Sequence, residues 1–169
     1  VHLGYGDGSC AEVTERLAAH LVGRVIDRIR PDLIVTFDAD GVTGHPDHRA
    51  VHRWVRNAVA DRGDRIPVLG AATQAVWSTS GTERLHRIDA FWPGYPDSSH
   101  DGDGFAVRLD HELLERKLAA LSCHASQMGR VAEALGPAHF VDLAADECYV
   151  ATNAEAQLHL SQESTALAA

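Results

Sequence analysis

The chain has no Cys-x-x-Cys pair, no apolar run near the ~20 residues that a bilayer-spanning helix needs, and no basic residue after Arg130. Each absence excludes something. Cys10, Cys123 and Cys148 are spaced too widely for a disulfide framework or a cysteine zinc cage, so they read as reduced, half-buried thiols and point to a cytoplasmic setting. Without a long apolar run or a basic amphipathic flank, a membrane is not an expected partner. With 24 acidic against 15 basic residues and a formal charge of −9, the chain is not built to track phosphate backbones, and nucleic acid is not expected either. No Gly-x-Gly-x-x-Gly, phosphate loop or Gly-x-Ser-x-Gly elbow occurs, which removes dinucleotide, nucleotide and serine-hydrolase chemistry. The first residue is Val1, and residues 1–8 read like the end of a strand running into a loop, so the natural N-terminus is expected to lie upstream.

What remains is a 169-residue chain with 45% hydrophobic residues, the size and composition of one domain with a continuous core. Ser9 and Glu12 have the spacing of a capping box, and Val13, Leu17, Leu21, Val25 and Ile29 recur every fourth residue, with Ala18, Val22 and Ile26 widening the stripe. This predicts a helix closed by Arg28 and Arg30 and stopped at Pro31. Residues 33–37 then form a short apolar strand of the buried parallel type, which implies a βαβ unit. Val51, Trp54, Val55, Ala58 and Val59 predict a second helix, opening at Pro46 and ending near residues 61–64. Further strands are predicted at 67–70, 74–77 and 105–109, a long loop from 92 through the Asp-Gly repeats that follow residue 99, and a third helix capped by Asp110. Past Arg130 only Glu133, Asp142, Asp146, Glu147, Glu155 and Glu163 carry charge, and roughly residues 155–169 are expected to fray.

The chemistry concentrates in Thr43-Gly44-His45-Pro46-Asp47-His48-Arg49-Ala50, directly after the 33–37 strand. In an open α/β sheet ligands gather beyond the carboxyl ends of the strands, and this run lies there. His48, in the first turn of its helix, sits at the positive end of the helix dipole, which disfavours imidazolium and keeps a lone pair available to a metal. His45 stands just outside the helix as an acid or oxyanion stabiliser. Asp47 is close enough in sequence to accept its ring proton. His52, one turn after His48, could extend the site, but Arg49 occupies the place where a zincin has its glutamate, so His52 reads as structural. Asp38 and Asp40 could reach the site from the same loop or could simply form its turns.

On three segments, the chain resembles the LmbE/PIG-L superfamily of zinc-dependent de-N-acetylases. The segments are Leu3-Gly4-Tyr5-Gly6-Asp7-Gly8, the 33–37 strand with its His-Pro-Asp-His motif, and Lys117-Leu118-Ala119-Ala120-Leu121 with His124-Ala125-Ser126-Gln127. The resemblance implies a single α/β domain over residues 1–169, a Rossmann-like three-layer sandwich with a mostly parallel sheet. It also implies one Zn2+ and hydrolysis of an acetamide on a small, aminosugar-containing molecule or glycoconjugate. Carried over, His48 is the metal ligand, His45 and Asp47 are catalytic, and Asp7 binds substrate. The family's Ala-His-Pro-Asp-Asp motif, which supplies two more ligands and the general base, has no counterpart in this sequence. The expectation is therefore a chain lacking the first strand and first metal motif, inactive as it stands.

Two other readings compete. One is a family member that has lost catalysis and serves as a carbohydrate-binding or scaffold domain. The other is a metal-dependent peptidase or amidase built from His45, His48 and His52. Lys117, His124 and Gln127 read as packing or supporting groups, and a homo-oligomer is left open.

Overall fold

The structure, a computed structural model, describes residues 1–63, 65–72, 79–93, 95 and 104–167, and of 79–81 and 161–167 the backbone alone. Ser9 does not cap the first long helix. Its hydroxyl donates to the Gly6 carbonyl at 2.7 Å in the turn leading to a 3-10 segment at Cys10–Glu12, and α1 begins later, at Glu15–Ile29. The buried stripe of α1 matches the expected one only in part: Ala18 and Ile26 are buried, together with Ala19 and Gly23, while Leu17 and Ile29 lie more than half exposed. The cause is geometric. A strict four-residue repeat drifts by roughly 40° per step on a helix of 3.6 residues per turn, so five such positions cannot share one face.

Arg30 closes α1 in the left-handed conformation, at φ 51°, and the chain turns through Pro31 into β1, Ile34–Phe37. A short turn α2, Gly41–Gly44, leads to α3, Pro46–Arg62, with proline in the first turn as the sequence predicts. β2, Val68–Ala71, pairs parallel with β1, Ile34 opposite Val68 and Phe37 opposite Ala71. The core forms where α1 and α3 cross this pair: Ala19, Ile26, Val55, Ala58, Val59 and Val68 are buried, with Val22, Ile34 and Ile66 packed against them. Val68 is 1% exposed, and burying such a side chain is worth about 1.5–3 kcal/mol.

After α4, Thr79–His86, come β3, Gly104–Arg108, α5, His111–Ser122, α6, Ala125–Leu135, α7, Pro137–Ala145, β4, Asp146–Ala151, and α8, Ala154–Leu167. The strand order is β1-β2-β4-β3, and β4 pairs antiparallel with both β2 and β3. The sheet is thus mixed where a mostly parallel one is expected, one pair of described strands parallel and two antiparallel. Of the stretch expected to fray, the described residues 155–167 lie in α8. Its first turn is held by Asn153, whose side-chain oxygen accepts from the N–H groups of Ala156 and Val68 while its amide donates to the Ile66 carbonyl. Asp110 caps α5 as expected, accepting from the Leu113 N–H at 2.8 Å. The strand expected at 74–77 and most of the long loop lie outside the described residues. Among the described residues no helix is long and apolar enough to cross a membrane.

Candidate active site

The carboxyl end of β1 is fixed first. Asp38 donates its N–H to the Ala71 carbonyl at 3.1 Å, extending the β1–β2 pairing by one residue. Gly70, beside it, has no room for a side chain, since a Cβ there would lie 2.9 Å from the Asp38 Cα and 2.8 Å from the Thr152 Cγ2. The chain then folds back sharply. Gly41, Val42 and Gly44 all have positive φ, and for the β-branched Val42, at φ 66°, that conformation is strained. Asp40 holds it there by accepting the Val42 N–H at 2.7 Å, and the Arg49 Nε donates to the Asp40 carbonyl at 3.1 Å.

This strained turn aims a carbonyl at His48. The Nδ1 of His48 lies 2.8 Å from the Gly41 oxygen, and because a carbonyl can only accept, Nδ1 carries the proton and the Nε2 of the neutral ring carries the lone pair. The ring is also gripped from its face: Phe37, the last residue of β1, stacks on it with centroids 3.9 Å apart and planes 3° from parallel. A backbone carbonyl on one nitrogen of a histidine is the arrangement that orients a metal ligand through the other.

His45 has the opposite arrangement. It caps α3, its Nδ1 accepting the Asp47 backbone N–H at 3.1 Å, so the proton of its neutral ring is on Nε2. The two imidazole centroids are 4.9 Å apart. One ring therefore offers a lone pair and the other a proton, the pair of functions that a metal-assisted attack on a carbonyl requires.

The expected pairing of the Asp47 carboxylate with the His45 ring is not what the structure holds. Asp47 is buried, and its two oxygens accept from the backbone N–H groups of Gly8, at 2.7 Å, and Cys10, at 2.9 Å, leaving only its peptide to reach His45. The carboxylate clamps the N-terminal loop onto the start of α3. Asp7, exposed in that loop, is brought to the same end of α3 by this clamp. Burial, then the Asp47 charge and a hydrogen bond to it, with a smaller part from Asp7, raise the Cys10 thiol above its ordinary value.

His52 is buried and ties α3 to β1 through its Nδ1, 2.8 Å from the Phe37 carbonyl, a structural role as expected. Lys117 pairs with Glu147 of β4 at 2.7 Å, while His124 and Gln127 are exposed. Residue-by-residue reading missed Trp92 and Tyr95. Trp92 donates its peptide N–H to the Thr43 carbonyl at 2.8 Å and places its indole at 69° to the His45 ring, centroids 4.9 Å apart, and the Tyr95 hydroxyl donates to Asp40 at 3.3 Å. The available signal was two aromatics within four residues of a loop otherwise built of turn formers.

As a donor set for zinc, His48 fits as one ligand. Among the described residues no group of three or more His, Cys, Asp or Glu comes together as a metal cage, so they do not make a whole three-ligand site.

A family model described as PIG-L: GlcNAc-PI de-N-acetylase matches residues 1–59, the stretch holding Asp7, His45, Asp47 and His48. The likeness is to the PIG-L/LmbE superfamily. The third segment of the resemblance, in α5 and α6, lies beyond the matched residues. Proteins named 1D-myo-inositol 2-acetamido-2-deoxy-alpha-D-glucopyranoside deacetylase are similar over more of the chain. The one from Rhodococcus opacus (strain B4) is 36% identical, over 62% of this chain and 41% of its own length. The one from Nakamurella multipartita is 34% identical over 66% and 40%, and that of a Nocardioides species 33% over 70% and 45%. The chain thus spans less than half the length of these curated relatives. The crystal structure of the zinc-inhibited form of teicoplanin deacetylase Orf2 shares the fold, with TM-score 0.54 and 16% identity over 89% of this chain and 55% of that one.

Proposed function

We propose that this PIG-L-like chain belongs to a zinc-dependent N-deacetylase that removes acetyl from an N-acetylated aminosugar in a small molecule or glycoconjugate, His48 supplying one metal ligand. The observation that carries this is the fixed tautomer of His48, its Nδ1 proton held by the Gly41 carbonyl and its ring plane by Phe37, so that Nε2 is presented ready to bind. The names of the relatives support the substrate class. Two further ligands and the general base come, in this proposal, from outside these 169 residues. Bound zinc would polarise the acetamide carbonyl and acidify its water.

His45 then has a defined task. Its Nε2–H is a hydrogen-bond donor held in place by the helix cap, suited to the oxyanion of the tetrahedral intermediate, and such a donor is worth about 3–4 kcal/mol of barrier. Asp7 contributes substrate contact and Asp47 holds the loop that carries it.

Zinc titration by calorimetry of the longer protein that supplies the remaining ligands, alongside its release of acetate from an N-acetylglucosaminyl glycoside, tests the reading. His48→Ala is expected to weaken zinc uptake by roughly tenfold or more, at least what loss of a ligand's supporting group costs. His45→Ala is expected to keep zinc and lose turnover. Equal zinc uptake by wild type and His48→Ala overturns the assignment.

A further inference from the structure

Trp92 is 48% exposed, whereas Trp54 is 3% exposed in the core, and the half-exposed indole lies against the His45 imidazole, where a ligand could reach both rings. Its backbone is fixed: the Trp92 peptide N–H donates to the Thr43 carbonyl at 2.8 Å, its carbonyl accepts from the Tyr95 peptide N–H at 3.0 Å, and Phe91 immediately before it is buried with Leu85 and Leu135. The Tyr95 ring stacks on Phe91, centroids 5.0 Å apart and planes 10° from parallel, and fills the space against Gly44 where a Cβ would lie 2.9 Å from the Tyr95 Cδ2. The indole lies at 69° to the His45 ring, with centroids 4.9 Å apart.

The geometry points to Trp92 as a stacking platform for the pyranose ring of the substrate, an inference that rests on the aminosugar reading above. The face of an indole carries negative charge density, and the C–H groups on one side of a pyranose form a flat, weakly positive apolar patch that matches it in shape and sign. The hydroxyls and the acetamide project from the ring edge, where they stay clear of the indole. A sugar seated on Trp92 therefore presents its edge toward the neighbouring imidazole, whose Nε2–H is the donor an acetamide oxygen needs. An extended acyl chain or a peptide would gain apolar contact from the indole, but nothing in either matches a flat face bordered by polar groups.

Saturation-transfer NMR on the protein with methyl 2-acetamido-2-deoxyglucopyranoside as the probe tests this. Transfer is expected to be strongest at the C–H protons of one ring face. Trp92→Phe should keep affinity within about threefold and Trp92→Ala should lose about tenfold, the equivalent of one stacking contact. Both variants should melt with wild type by circular dichroism, the ring being exposed, and Trp92→Phe controls for any change in fold. Wild-type affinity in Trp92→Ala, transfer confined to the N-acetyl methyl, or no binding by wild type overturns the platform. Zinc uptake through His48 that is unaffected by these outcomes leaves the deacetylase reading standing. Trp92-dependent sugar binding with no zinc uptake and no acetate release does the reverse.

Discussion

Asp47 acts through its peptide and its carboxylate on different partners. The peptide caps against His45, and the buried carboxylate gathers the amides of Gly8 and Cys10. Charge-assisted bonds of this kind are worth about 1.5–3 kcal/mol, so Asp47→Ala is expected to destabilise the fold by about that much and to strip the Gly8 and Cys10 amides of hydrogen-exchange protection. The Cys10 thiol reports the same contact. Since it is raised in the folded chain, chiefly by burial and next by Asp47, the unfolded chain loses the proton first, and stability falls as pH climbs through the ordinary thiol range. Denaturant melts at neutral and alkaline pH should show that loss in wild type and a smaller one in Cys10→Ser. Iodoacetamide should label Cys10 more slowly than the exposed Cys123, with the difference shrinking in Asp47→Asn; equal labelling in wild type contradicts the clamp.

At the scale of elements, the turn between β1 and α3 governs the histidines. Gly44→Ala places a Cβ against Tyr95 in a left-handed backbone, at φ 75°, and is expected to cost about 1–3 kcal/mol, read as a lower Tm. An unchanged melt would mean Tyr95 moves aside freely. The sequence disclosed α3, β1, β2 and the Asp110 cap because each carries a local signal: a proline at the first turn, a nearly all-apolar run, an aspartate three residues before the N–H it accepts. It concealed β4, whose Asp-Glu-Cys-Tyr-Val-Ala run opens with two acids and follows α7 without a turn residue between them. It also concealed the start of α1, where Ser9 and Glu12 have capping-box spacing but Ser9 turns back to Gly6. In the site, the positions of His45 and His48 were legible because they lie three residues apart in one motif. The Asp47 clamp depends on contacts across 37 and 39 residues, and the Trp92 contact on a loop brought back to Thr43, neither of which spacing can reveal.

Across the whole molecule, the segment after β4 is tied back to β2. Asn153, near the end of the chain, bonds to Val68, Ile66 and Ala156, and Thr152 donates its hydroxyl to the Val68 carbonyl at 2.9 Å. Asn153→Ala is expected to cost about 3 kcal/mol by leaving the Val68 N–H and the Ile66 carbonyl without this partner. Denaturant unfolding would measure it, and a loss confined to α8 by hydrogen exchange, with β2 unaffected, would show the tether to be local.

The strand order carries one more consequence. β4 is the last strand in the chain yet an inner strand of the sheet, lying between β2 and β3, which do not pair with each other. During folding β2 can pair only with β1, and β3 has no partner among the described strands, until residues 146–151 arrive, so sheet closure is a late, cooperative step dominated by distant contacts. Such topologies fold slowly for their size. On the ribosome, the histidine-bearing segment would emerge and wait, with β2 paired only to β1, until residues 146–151 had been made.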